Sequence, residues 1–116
     1  MKFIKAPIYD EYLHFEKKIL PFIDNHVFKR LKNIKQLGAL HAVFPSATHN
    51  RFEHSLGVAH LGESFIEQLY TNSHPSYKNN TIVQCVKLAG LYHALGHGPF
   101  SHIFDHHVLS TLCPNN

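Results

Sequence analysis

HNRFEHSLGVAHLGESFIEQLYT, residues 49–71, is the stretch from which the fold can be read. Asn50 followed by Glu53 forms a capping box, with asparagine in place of serine or threonine. Beyond it His54, Val58, Leu61, Phe65 and Leu69 recur three or four residues apart, the period of one helical face. The spacing predicts a long helix over 51–71. His54 continues its apolar stripe and is expected to point inward.

Working outward, residues 72–80 are polar and carry Pro75, so they read as a loop. Thr81 opens a second helix to about 95, with Ile82, Cys85, Ala89 and Tyr92 along one face. Gly96 and Gly98 punctuate it, and Pro99 suits the first turn of a last helix over 99–110. Upstream, residues 39–49 read as a loop with one extended piece. Asp24 or Asn25 caps a helix over 26–36, whose Val27, Phe28, Leu31 and Ile34 share a face and which Gly38 ends. A short helix over 16–23 is limited by Pro21, and residues 2–15 form a loose hairpin or extended arm. The expected fold is all-α: a compact bundle of about five helices with a small N-terminal hairpin, one domain over residues 1–116.

Composition sets limits on function. The chain has 116 residues, 44% of them hydrophobic, enough for one core. It has no apolar run near the roughly 20 residues of a membrane span. MKFIKAPIYDEY turns polar too early for a signal peptide. Cys85 and Cys113 make neither metal-type spacing nor a framework of bridges, which points to free thiols and an intracellular setting, cytoplasm or nucleus. The net charge of +3 suits an anionic small molecule or loose nucleic-acid contact. Lys29, Arg30, Lys32 and Lys35 form a basic helix face that fits nucleic acid or plain solvation.

Twelve histidines are unusual for this length. By pattern four of them converge: His54 on the long helix, His93 and His97 one turn apart, and His102 in the segment GHGPFSH. A buried imidazole requires a partner for its ring nitrogens. A metal or a phosphate serves, and so does an ordinary hydrogen bond in a core. By spacing, Phe52, Leu56, Phe65 and Phe104 are core rather than a base-stacking platform, and His106 and His107 face solvent.

The blocks HNRFEHSLGVAHLG (49–62) and LAGLYHALGHGPFSHIFD (88–105) resemble the two metal-histidine helices of HD-domain phosphohydrolases. FIDNHVFKRLKNIKQLG (22–38) and VFPSATHNRFEHSLG (43–57) are more specific. They make the chain similar to the HD-domain deoxynucleoside triphosphate triphosphohydrolases, a family that includes sterile-alpha-motif-and-HD-domain dNTPases and bacterial dGTPases. The resemblance runs from Met1 to about Asp105. It implies hydrolysis of a dNTP to a deoxynucleoside and triphosphate at a divalent metal (manganese, iron, magnesium or zinc). It assigns His54 and His93 to the metal, and Gln36, Leu37 and Arg51 to the sugar and phosphates. His97, His102 and Asp105 fall to catalysis, and Lys2, Asp24 and Lys32 to a regulatory nucleotide. Asp24 and Asp105 also read simply as helix caps or surface partners.

Two departures from that pattern decide the expectation. Ala94 stands where the family has a metal-binding aspartate. The family's last metal aspartate and a further histidine would lie past Asn116, so the domain reads as truncated. Losing a partner of a metal ligand already costs about 10–100-fold in affinity, and losing a ligand itself costs more. Hydrolysis by the family mechanism is therefore expected to be lost, and Ala94→Asp alone is not expected to restore it. Three further readings stand beside this one. The first is a non-catalytic module that binds dNTP or GTP and regulates or pairs with a full-length relative. The second is a histidine-rich metal binder using His54, His93, His97 and His102. The third is nucleic-acid binding through the basic face of Lys29, Arg30, Lys32 and Lys35. Separately, uncovered apolar faces are expected to make the chain a homo-oligomer.

Overall fold

The computed structural model describes residues 1–6 and 8–114. Strand β1 (Lys2–Ile4) pairs antiparallel with β2 (Leu13–Phe15), placing Phe3 opposite His14. Alternation along β2 buries Leu13 and Phe15 and turns His14 outward. Two single-turn helices follow, α1 (Leu20–Ile23) with Pro21 in its first turn and α2 (His26–Lys29). Asn25 rather than Asp24 caps α2, its Oδ1 accepting from the Phe28 amide at 2.8 Å. Asp24 instead pairs with Lys2 and Lys29.

The helix expected over 26–36 stops early. It tightens to a 3₁₀ turn over Arg30–Asn33, and Ile34 is extended. The cause is a competing backbone partner. The Arg51 amide donates to the Ile34 carbonyl at 2.8 Å and the Gln36 amide to the His49 carbonyl at 3.0 Å. Residues 34–36 thus pair with 49–51, and Lys35 forms a bridge with Asn50. A second 3₁₀ turn, Gly38–Ala42, lies in the stretch expected as loop.

Helices α3 (Arg51–Asn72) and α4 (Asn80–Tyr92) form the central pair. Asn50 Oδ1 accepts from the Glu53 amide at 2.9 Å at the start of α3, and Asn79 does the same for the Thr81 amide at the start of α4. Gly90 lets the two backbones touch. A methyl there would sit 3.1 Å from the Ala59 backbone. Around this pair Leu13, Phe15, Ile19, Ile23, Phe28, Leu31, Leu56 and Leu91 close the core.

The buried faces differ from those expected. On α3 the covered residues are Arg51, Ser55, Leu56, Gly57 and Ala59. Leu61, Phe65 and Leu69 are exposed, Phe65 by 66%. On α4 the covered residues are Val83, Lys87 and Leu91, whereas Ile82, Cys85 and Ala89 are exposed. The hairpin and the short helices cover only the early turns of α3. The apolar stripe continues past them with Leu61, Phe65 and Leu69 exposed.

The last helix begins at His102, not Pro99. Phe100 and Ser101 carry φ of 62° and 55°, a left-handed step that no helix accommodates. From Phe104 to Val108 the turns widen to π geometry before α5 (Leu109–Leu112). Together these five α-helices and one two-stranded hairpin, among the described residues, make the expected all-α bundle with a small N-terminal hairpin.

Candidate functional site

His54 lies in the first turn of α3, and His93 directly follows α4. Because Gly90 draws the helices together, the two imidazoles meet with ring centres 5.2 Å apart at 64°. His93 Nδ1 donates to the Gly90 carbonyl at 2.6 Å, which leaves its Nε2 lone pair free. Burial pushes the His54 pKa down, with His93, Arg51 and His49 adding repulsion. His54 can therefore present a neutral, ligand-competent nitrogen. Ala94, next to His93, is 3% exposed and offers only a buried methyl.

Beside this pair is a second group of polar residues. Arg51 is 4% exposed, and its Nε and Nη2 have no hydrogen-bond partner. Burial pulls its pKa below the ordinary value, and Asp105 opposes that pull. His97 is also lowered, first by burial and then by Arg51, again with Asp105 opposing. The rings of His97 and His102 are 5.5 Å apart. Their Nδ1 atoms lie 3.1 and 3.8 Å from Asp105 Oδ2. Gln36 Oε1 and Ser55 Oγ are buried without a partner as well. Leu37 is 44% exposed.

A model of the HD domain family matches residues 51–112, more than half of the chain. The chain belongs to the HD-domain family. It is 45% identical over 105 residues to the deoxynucleoside triphosphate triphosphohydrolase SAMHD1 of Danio rerio, covering 90% of this chain and 17% of that protein. With the human SAMHD1 the figures are 46%, 90% and 17%. The Dictyostelium discoideum SAMHD1 homolog is 45% identical over 87 residues, 75% of this chain and 17% of its own length. The HD domain here thus spans about a sixth of these relatives.

HD domains are typically metal-dependent, so the donor set can be tested for fit. On the resemblance read from the sequence, the family pair of histidine and aspartate falls at His93 and Ala94. Two imidazoles meet, but the neighbouring position supplies no oxygen to offset the charge of a divalent ion. The residues at this point do not fit the family's metal centre.

Two positioning contacts escaped the sequence reading. Arg30, expected on a free basic face, donates from Nη2 to the carbonyls of Leu95 and, at 2.9 Å, His97. It fixes the loop that carries His97. Ser101 Oγ donates to the Gln36 carbonyl at 3.0 Å and ties that loop to the 34–36 segment. Neither has a sequence signal, because both partners are backbone atoms about 65 residues away. Two lysines of the same face are also engaged. Lys29 pairs with Asp24 at 3.6 Å, and the Lys32 ammonium lies 4.7 Å above the Phe52 ring.

Of the trio expected at a regulatory nucleotide, Lys2 and Asp24 pair at 3.1 Å. The Lys2 hydrogen bond holds the Asp24 carboxyl below the usual carboxylate range. Lys32 is outside that pair and lines a groove with Lys5, Phe52 and Leu56.

Proposed function

We propose that this HD domain binds a deoxynucleoside triphosphate such as dGTP and does not hydrolyse it by the family's metal route. The observation that carries the reading is the buried, half-unsatisfied Arg51 guanidinium. A fork of donors in that state is suited to a phosphate, which takes two parallel hydrogen bonds from it. Gln36, whose amide oxygen is likewise orphaned, can accept from a sugar hydroxyl. Leu37 would flank the sugar. His97 and His102 would meet further phosphate oxygens, a role supported by their approach to Asp105, which would orient them.

The residues can hold and orient a triphosphate, exclude water from part of it and shuttle a proton at His97. What is missing is the carboxylate at position 94. Without it the family's ion, which when bound polarises a phosphoryl oxygen and activates water, has no neutralising ligand beside His93. Regulatory nucleotide contact at Lys2, Asp24 and Lys32, and an intracellular setting consistent with the free thiols of Cys85 and Cys113, belong to the same reading.

Calorimetric titration with dGTP, alongside a triphosphate-release assay containing manganese, tests this. Expected are saturable binding, a loss of about 10–100-fold in Arg51→Ala, and release no faster than in His54→Ala. Release well above that control contradicts the non-hydrolytic reading. Absence of dGTP binding contradicts the nucleotide reading itself.

A further inference from the structure

We infer that His97, His102 and Asp105 form a divalent-cation site of their own, holding a zinc-class ion beside the His54–His93 pair and not within it. One ligand atom from each of the three lies within 4.8 Å of the other two. Two imidazoles and one carboxylate make a donor set that includes the oxygen the His54–His93 pair lacks at position 94. Asp105 supplies the negative charge that a divalent ion requires, and imidazole nitrogens suit zinc, cobalt or iron.

The geometry is close to a coordinating one. Tetrahedral zinc with bonds of about 2.0–2.1 Å sets its donors about 3.3 Å apart. The nitrogen-to-oxygen separations here are 3.1 Å from His97 and 3.8 Å from His102. His102 needs only a small inward swing, and its side chain is 67% exposed and free to make it. His97 is the fixed member, since Arg30 holds its carbonyl.

The second observation is an unsatisfied atom. His97 Nδ1 is buried and makes no hydrogen bond, although Asp105 Oδ2 is 3.1 Å away. The two are near each other but not aligned as donor and acceptor. A shared cation satisfies a lone pair and a carboxylate in that alignment, which a direct hydrogen bond, needing the N–H aimed at the oxygen, does not. The backbone also departs from regularity on both sides. Phe100 and Ser101 adopt left-handed φ between the two histidines, and Asp105 sits in the π-widened turn. Such departures cost energy and collect at functional sites. Gly98 is needed for the same fold-back, because a methyl there would lie 2.1 Å from the Phe104 ring. Arg51 is the local opponent, its charge acting on His97.

Three protein ligands leave a coordination position for water or a phosphate oxygen. The inference does not depend on nucleotide binding and is tested without it. The full chain, stripped with chelator and prepared without an affinity tag, is titrated with cobalt and then with zinc in competition with a chromogenic chelator. Expected is one cobalt per chain with the visible absorption of a four-coordinate ion, displaced by zinc. His102→Gln, at an exposed position, should weaken binding at least about ten-fold, and Asp105→Asn likewise. His93→Gln should change it less than two-fold. Circular dichroism of each variant reports whether it folds. No saturable cobalt binding by the folded wild-type chain overturns the inference. So does binding that is lost in His93→Gln and kept in His102→Gln.

Discussion

Arg51 is held 4% exposed in the first turn of α3 with Nε and Nη2 unsatisfied. Leaving a buried donor unpaired costs about 1–3 kcal/mol, more when it is charged. Arg51→Met, similar in length and apolar, should therefore raise the thermal midpoint while weakening dGTP binding at least ten-fold. Scanning calorimetry with and without dGTP reads both, and a lower midpoint would show that the guanidinium serves the fold. His54 and His97 are depressed by burial, so their folded pKa values lie below the unfolded value near 6.5. As pH falls through that window the unfolded chain binds more protons, and stability drops with it. Urea midpoints of the metal-free chain should decline from pH 7.5 to pH 5, and His54→Gln should flatten the slope. The meeting of His54 with His93 was legible from spacing, because both lie at matched ends of helical stretches. The unsatisfied state of Arg51 was not, since it depends on which neighbours fail to reach it.

At the scale of elements the clearest sequence signals were local ones. Asn50 with Glu53 marks the start of α3, and Pro75 marks the loop before α4. What sequence did not show was set by distant partners. Residues 34–36 leave the helix to pair with 49–51. The apolar stripe of α3 outruns the hairpin that covers it, so Phe65 is exposed. Lys87 is the sharpest case. A lysine in an apolar helix reads as solvent-facing, yet it is 2% exposed and joins α3, α4 and β2. Its ammonium reaches Glu63 at 2.6 Å and the His14 carbonyl at 2.9 Å, above the Phe15 ring. Glu63→Ala leaves that charge buried and should cost about 3 kcal/mol, whereas Lys87→Met should cost less than about 1 kcal/mol. Equal losses in the two variants, by chemical denaturation, would show that the methylene stem matters more than the pair.

Across the whole molecule, exposed apolar residues gather outside the site. Leu61, Phe65 and Leu69 run along α3, and Leu40, Val43 and Phe44 crowd the second 3₁₀ segment. Among the described residues no helix is long and apolar enough to cross a membrane. Uncovered apolar surface of this kind favours association. Light scattering at high concentration should give a mass above the 13.3 kDa of one chain, reduced toward it by Phe65→Glu. A monomeric mass for the wild type contradicts this. The same molecule combines an orphaned arginine, paired imidazoles and a missing carboxylate near one end of the central helix pair. A crystal soaked with dGTP and manganese, recorded at the manganese edge, reads all three at once. Intact triphosphate on Arg51, with no manganese peak between His54 and His93, is the expected result. A manganese peak bridging those two rings, with cleaved nucleotide beside it, would contradict it.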